Sequence, residues 1–455
     1  MTRTKEKPKS FQRPRGTHDI LPDEARLWEK VLDSIRSLSA AYGFGRIETP
    51  HFEDTDLFTA GVGRATDIVS KQMYSFKTRG GDALTLRPEG TAPIARAFTE
   101  HGMASWPQPV KLWYAGSFFR HEAPQRGRYR EFRQWGLELI GEEGAVADAE
   151  IIHVFSAFLK EWGVKDPIVE VNSIGCANCR GSYRSQLVQY YRGRVRGLCR
   201  DCKERFRENP LRLLDCTQEK CVIAKKSAPQ LLDRLCEPCR SHFRSLLEFL
   251  EEAGVSYVLN PHLVRGLDYY TRTVFETFVE PVSSPPSSGT KPGEGTPAEG
   301  KASVPPEAAR KLAVVSGGRY DGLVELVGGK PTPAVGGALG LERFLGVLAG
   351  RGIEPPAAPA PRVFLVQLGE LAKKKSFRMM EELRRAGIPM AESLGRDSIR
   401  AQLKIADRLG AAYALIVGQK EALDSTVILR EMTGGGQETI YQAKIIEVLK
   451  RKLKK

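Results

Sequence analysis

The alternation of apolar and polar positions divides the chain into stretches of different character. Over residues 23–42, Leu27, Val31, Ile35 and Leu38 recur every three or four residues, which predicts a helix with one apolar stripe. Apolar runs at 83–87, 110–118 and 129–138 predict strands, Arg46 to Pro50 an extended stretch stopped by proline, and 148–162 a helix. A strand at 168–171 precedes a cysteine-rich stretch and a helix ending near Gly254. Strands resume at 257–259, 270–278 and 312–315. Residues 11–350 thus read as one mixed α and β domain interrupted by an insertion at 176–243. Residues 280–310, rich in Pro, Gly and Ser with few large apolar side chains, read as a disordered loop. After a Pro/Ala linker at 351–361, strands at 363–366 and 413–417 alternate with helices at 372–386 and 398–409. That βαβ order predicts a C-terminal α/β domain over 362–455 with a mostly parallel sheet.

Composition narrows the class. Apolar residues make up 41% and charged ones 27%, as in soluble globular proteins, and the length of 455 residues implies more than one domain. No apolar run reaches the ~18 residues of a membrane span, so no membrane partner is expected. Residues 1–10 are a lysine-rich polar tail without a signal core, so a cytoplasmic location is expected. The net charge of +14 is unevenly spread: 176–243 holds 15 Lys/Arg against 7 Asp/Glu, and 361–455 holds 19 against 11. Each segment is therefore +8, and the remainder is near −2. Two basic segments imply two places where a polyanion is held; general solubility charge is the plainer alternative.

The most informative stretch runs from Phe119-Arg120-His121-Glu122 through a basic loop, Gln125 to Arg130, to Phe132-Arg133-Gln134 and Gly136-Leu137-Glu138. Arg-x-Glu on a strand places both side chains on one face, arginine forks onto phosphate, and an aromatic on the return strand can stack on a base. Together these make a nucleotide grip, against the blander reading of a charged, solvated hairpin. Arg87-Pro88-Glu89-Gly90-Thr91 puts a carboxylate and a hydroxyl at a strand-to-helix turn, where they can receive an ammonium group or cap the helix. Arg265-Gly266-Leu267-Asp268-Tyr269-Tyr270 packs charge and phenols around one glycine. Ser316-Gly317-Gly318-Arg319-Tyr320-Asp321-Gly322 reads as a glycine-rich turn. Gly336-Gly337-Ala338-Leu339-Gly340-Leu341-Glu342-Arg343 ends in an arginine at a helix start.

In their order and wording these segments resemble histidyl-tRNA synthetases, a family of class II aminoacyl-tRNA synthetases. Pro14 to Asp19 resembles the family's opening, Ile47 to Phe58 with Pro50 its motif 1, Phe119 to Glu138 motif 2, and Gly337 to Arg343 motif 3. Arg265 to Tyr270 and Gly317 to Gly322 resemble the two histidine-specific signatures. The resemblance covers nearly the whole chain. It implies an α+β catalytic domain, with an antiparallel sheet of six or more strands flanked by helices, in a homodimer. It also implies a C-terminal α/β anticodon-binding domain. The implied partners are ATP with Mg2+, L-histidine and histidine tRNA. The implied catalytic residues are Arg120, on the α-phosphate, and Arg265, opposite it. For ATP it implies Arg120, Glu122 near the adenine amino group, Arg128 on the distal phosphates, and Phe132 and Arg343 around the base. For histidine it implies Glu89, Thr91, Gln134, Glu138, Tyr269, Tyr270 and Tyr320. Three positions depart from the family pattern: Ala123 stands for a usual arginine in the loop facing the tRNA acceptor end, Glu131 for a glutamine and Arg133 for a histidine.

All eight cysteines fall in the insertion: Cys176/Cys179, Cys199/Cys202, Cys216/Cys221 and Cys236/Cys239. Three pairs are C-x2-C, and 19 residues separate the first pair from the second, a zinc-ribbon type of spacing. Structural zinc and reduced structural thiols both fit; a cytoplasmic compartment disfavours disulfides. Two competing functions, a non-catalytic regulatory paralogue and a zinc-dependent RNA-binding module, each require losses at Arg120, Arg265, Arg343 or the C-terminal domain, and the chain keeps all of these.

Overall fold

The computed structural model of the chain describes residues 10–64, 66–124, 127–165, 167–280, 312–396 and 398–453. The sequence-predicted tail at 1–10 and loop at 280–310 lie almost wholly outside them. The chain divides into two compact units at Pro355/Pro356. Among the described residues no helix is long and apolar enough to cross a membrane.

The larger unit is built on an eight-stranded sheet. From edge to edge its strands are Gly45–Arg46, Val110–Phe119, Glu131–Ile140, Ala334–Gly340, Leu312–Arg319, Thr271–Val279, Ile168–Ser173 and Tyr257–Leu259. The six inner strands pair antiparallel, as expected, but both edge strands pair parallel, so the sheet is mixed. A separate three-stranded sheet joins Phe52–Asp54, Ala83–Leu86 and Tyr74–Lys77. One sheet face is sealed by the helices Ala145–Glu161 and Leu341–Gly350. Trp135, wholly buried, meets Phe155 and Phe158 at ring distances of 4.9 and 4.8 Å, and Phe344 meets Phe158 at 5.0 Å. Each such buried ring contributes about 1.5–3 kcal/mol of apolar transfer energy. The Pro22–Ala41 helix adds the predicted stripe of Leu27, Val31, Ile35 and Leu38.

Two buried arginines tie distant segments together. Arg87 donates to the carbonyls of Thr49 (2.8 Å) and Ser117 (2.9 Å), joining the Pro50 region to the long hairpin. Arg319 donates to Asp148 (Nε, 3.0 Å) and to the carbonyls of Glu142 and Gly144, locking the Ala145–Glu161 helix to the sheet.

Two expectations are corrected here. Arg46 to Pro50 joins the sheet only through Arg46 and a single hydrogen bond from the Ile47 N–H to the Trp113 carbonyl (2.9 Å). Residues 316–319 are sheet, not turn, because the Leu312–Arg319 strand continues through both glycines, whose lack of a Cβ admits neighbours.

The insertion is helical: Ala177–Arg192, Arg200–Glu208, Glu219–Lys225 and Glu237–Glu252, joined by short 3-10 turns. Its last helix shows Cys239, Phe243, Leu246 and Leu250 buried along one face.

The smaller unit has a five-stranded sheet ordered Met390–Glu392, Val363–Gln367, Tyr413–Val417, Thr426–Glu431, Gln437–Tyr441. The first three are parallel and the last two antiparallel, so the sheet is half rather than mostly parallel. The pattern reading missed the second hairpin because its outer strand is polar and exposed. Lys450 to Leu453 close the Ile445–Leu453 helix, which is anchored by buried Ile445 and Leu449.

Candidate active site

The open face of the large sheet carries a row of side chains aligned across five strands. Tyr114 pairs with Gly136, Gly136 with Ala338, Ala338 with Ser316 and Ser316 with Glu276. Directly opposed residues share a face, so small residues in the middle of this row make a trough walled by Tyr114 and Glu276. The glycines are required by their neighbours. A Cβ on Gly136 would lie 2.1 Å from the Tyr114 ring, one on Gly336 would lie 1.7 Å from Glu138 and one on Gly318 would lie 2.9 Å from Tyr270.

Two cavities open along the trough. The larger, of about 270 Å³, is lined by Arg120, Glu122, Arg128, Phe132, Glu276 and Arg343, among others. The smaller, of about 40 Å³, is lined by Glu89, Thr91, Tyr114, Tyr269 and Tyr270. Both are bordered by Arg120, Gln134, Arg265 and Ser316. Two guanidiniums therefore stand where the cavities meet.

Arg120 lies just past the Val110–Phe119 strand, so the strand-face argument for Arg120 and Glu122 does not hold: both are in the loop. They still pair, at 3.9 Å, and Glu122 also meets Arg128 at 3.8 Å. Arg120 donates to the Pro88 carbonyl (2.8 Å) and rests over the Phe132 ring, 5.2 Å from its centroid. Desolvation lowers its pKa, opposed by Glu122 and Glu89. Arg343, on the first turn of Leu341–Gly350, reaches back to the carbonyls of Gly127 (3.1 Å) and Ala313 (2.9 Å). Arg265 pairs with Glu276 and donates to Ser316 Oγ (2.9 Å), and those two are cross-strand neighbours. Burial works against the Arg265 charge, but Glu276 and the phenols of Tyr270 and Tyr269 more than offset it, and the pKa is raised.

Glu89 takes the capping reading of its turn. Its carboxylate accepts the N–H groups of Thr91 (2.8 Å) and Ala92 (2.9 Å), capping the Thr91–Glu100 helix, while facing the small cavity. Burial raises its pKa, and the backbone donors, Arg120 and Tyr269 counter only in part. Glu138 and Tyr320 do not line the small cavity; they lie beneath it. Glu138 accepts from Thr91 Oγ1 (2.8 Å) and Tyr320 OH (2.5 Å), and burial pushes its pKa to about 8. Ala123 is exposed, and Gln125 and Arg126 lie outside the described residues.

Sequence reasoning missed Tyr114, Glu276, Ser316 and Glu342. Tyr114 is placed by its cross-strand pairing with Gly136, which local spacing does not show. Glu276 and Ser316 become visible only through strand register. Glu342 accepts the Arg133 N–H at 2.8 Å, and burial pushes its pKa to about 7.

In the insertion the cysteines form two groups, Cys176/Cys179/Cys236/Cys239 and Cys199/Cys202/Cys216/Cys221, with sulfurs within 4.8 Å of one another. The first pair thus meets the last, not the second as ribbon spacing implies. None of the eight is in a disulfide.

The fold and this trough define the catalytic unit of a class II aminoacyl-tRNA synthetase. Residues 16–289 match the family described as Histidyl-tRNA synthetase, and residues 362–452 match Anticodon binding domain. A protein of Dehalococcoides mccartyi named Histidine--tRNA ligase is 45% identical over 97% of this chain and 100% of its own length. One of Pelotomaculum thermopropionicum with the same name is 42% identical, over 97% and 98%. The crystal structure of apo S. aureus histidyl-tRNA synthetase superposes with a TM-score of 0.74 at 32% identity, covering 97% of this chain and all of the other. The chain belongs to the histidyl-tRNA synthetase family.

Proposed function

We propose that the protein is a histidine–tRNA ligase. It activates L-histidine with ATP to histidyl-adenylate and transfers the histidyl group to the 3′ end of histidine tRNA. The observation that carries this reading is the meeting of a nucleotide-sized cavity and a small phenol-and-carboxylate cavity at Arg120 and Arg265. A regulatory paralogue has no use for two guanidiniums at that junction.

In the first step the histidine carboxylate attacks the α-phosphorus and pyrophosphate leaves. The carboxylate is already ionised at neutral pH, so the step needs alignment and charge stabilisation rather than a general base. Arg120 holds the α-phosphate from one side, and Arg265 meets the developing charge from the other, kept in place by Glu276 and Ser316. Phe132 and Arg343 sandwich the adenine, with Glu122 at its amino group. Arg128 reaches the distal phosphates, which arrive with Mg2+.

Glu89 takes the substrate ammonium, with Thr91 beside it. That cation adds to the countercharge that Arg120 supplies to this buried carboxylate only in part. Gln134 touches the carboxylate side. Tyr269 and Tyr270 face the imidazole, while Glu138 and Tyr320 brace Thr91 and the pocket floor. Polar partners for both ring nitrogens select histidine by leaving site groups unpaired with any other side chain. In the second step a ribose hydroxyl of the tRNA attacks the acyl carbon and AMP leaves. The basic insertion and the C-terminal unit hold the acceptor arm and the anticodon, with phosphate contacts that weaken as salt rises. Ala123 weakens recognition at the acceptor end relative to the family norm. The protein acts as a cytoplasmic homodimer, and the cysteine groups hold structural zinc.

Pyrophosphate exchange measured separately with each of the twenty amino acids tests the reading. Exchange with histidine alone is expected; no exchange, or exchange with another amino acid, refutes it.

A further inference from the structure

The eight cysteines are arranged one inside the other, and each group sits one helical turn from an arginine that grips the active site. Cys176, Cys199 and Cys236 are the N-cap residues of Ala177–Arg192, Arg200–Glu208 and Glu237–Glu252, and each has its C-x2-C partner on the first turn. A helix N-terminus favours thiolate over thiol. Sulfur–sulfur distances are 3.7 Å for Cys176–Cys179, 3.9 Å for Cys176–Cys236 and 3.8 Å for Cys199–Cys216. Four thiolates about 2.3 Å from a tetrahedral zinc ion stand about 3.8 Å apart, whereas a disulfide needs about 2.05 Å. Backbone N–H groups already donate to the sulfurs, Cys236 to Cys179 at 3.2 Å and Cys199 to Cys221 at 3.3 Å. Gly175 (φ +61°) adds a local requirement, since a Cβ there would lie 2.6 Å from that of Cys179.

The root group, Cys176/Cys179/Cys236/Cys239, closes the base of the insertion, where the chain leaves and rejoins the sheet unit. One turn beyond Cys176, Arg180 donates to the Tyr270 carbonyl at 3.0 Å. The head group, Cys199/Cys202/Cys216/Cys221, gathers the inner lobe, residues 199–221. One turn beyond Cys202, Arg205 pairs with Asp67 at 2.7 Å, and Arg212 pairs with the same carboxylate at 2.9 Å. Arg212 also donates to the Gly266 carbonyl (3.4 Å), and Asn209 to Asp268 (2.9 Å). Gly266, Asp268 and Tyr270 belong to the loop that carries Arg265.

We propose that the insertion binds two zinc ions in nested four-thiolate sites, and that the ions fix the arginines that hold the Arg265 loop in its working position. This rests on the reading of the thiols as zinc ligands. It makes Arg180, Arg205 and Arg212 positioning residues for adenylation, not only part of a basic surface for tRNA.

The full-length chain, purified without an affinity tag, is expected to contain two zinc ions; one or none, or iron in their place, overturns the proposal. Replacing all four head cysteines by serine (C199S, C202S, C216S, C221S) is expected to leave one ion. Sequential pairing, in which each site loses two ligands, leaves none and overturns the nesting. Should that variant not fold, oxidation of the metal-stripped wild-type chain and peptide mapping answer the same question. Disulfides are expected within Cys176/Cys179/Cys236/Cys239 and within Cys199/Cys202/Cys216/Cys221, and predominant links between the groups contradict the nesting. For the positioning role, R205A/R212A, which retains both ions, is expected to lower the kcat of histidine-dependent pyrophosphate exchange at least about fivefold with the KM for ATP nearly unchanged. An unaltered kcat overturns it. Metal content is read independently of activity, so an inactive wild-type chain with two ions would refute the ligase reading alone.

Discussion

The sheet that carries the active site and the insertion that grips it are held together by different means. The sheet unit buries Trp135, Phe155, Phe158 and Phe344 in one continuous aromatic layer and pairs its buried Arg319 with Asp148. The insertion is short-helical and strongly charged. Five of its eight cysteines, Cys179, Cys202, Cys216, Cys221 and Cys239, take core places. Where apolar surface is abundant, packing sets the geometry. Where it is scarcer, grouped thiols and arginine–carboxylate contacts take its place.

The largest test of that contrast is Trp135→Ala, expected to cost about 3–5 kcal/mol of stability, measured by denaturant unfolding. A cost below ~1 kcal/mol would mean that the aromatic layer is not what sets the sheet. Next is Arg265→Ala, expected to slow adenylation about 10²–10³-fold while histidine and ATP still bind and zinc content is unchanged. Near-normal pyrophosphate exchange in that variant would remove Arg265 from the mechanism.

Glu138 in the sheet site and Asp67, which clasps the insertion, respond to pH with opposite sign. Burial raises the Glu138 pKa to about 8 in the fold from an ordinary 4.5, so its stabilising contribution is full below pH ~4.5 and is lost as pH rises toward 8. Glu138→Gln is expected to flatten that slope, by at most about 1.4 kcal/mol per pH unit, in unfolding measured from pH 5 to 8. Asp67 behaves oppositely. Burial works to raise its pKa, but Arg205 and Arg212 prevail and hold it below 3.8, so its contribution is present above pH 3.8 and lost on acidification. Tyr183→Phe is expected to have a smaller effect, about 1 kcal/mol, because it removes the hydroxyl's bond to the Pro229 carbonyl inside the insertion. Asp67→Asn is expected to have the smallest effect on stability, its partly exposed clasp being screened by solvent, and is followed by limited proteolysis of the inner lobe.

Much of this molecule was legible in the sequence, for particular reasons. Leu27, Val31, Ile35 and Leu38 marked their helix because a single buried stripe needs that spacing. Arg120, Glu122 and Phe132 stood out because nucleotide chemistry demands those side chains, Arg343 through the family resemblance, and all four line one cavity. The smaller unit's outer hairpin was illegible, because an exposed polar edge carries no apolar period.

The sequence by itself determined the side chains available for the chemistry, the basic character of two segments and the family to which the chain belongs. These depend on residue type and order. Tertiary structure alone decided that Ser316 and Glu276 support Arg265, that Tyr114 walls the small cavity, that Glu138 and Tyr320 lie beneath it, and that the first cysteine pair meets the last. Each of those is a contact between residues far apart in the chain, set by strand register and helix packing, which local spacing does not encode.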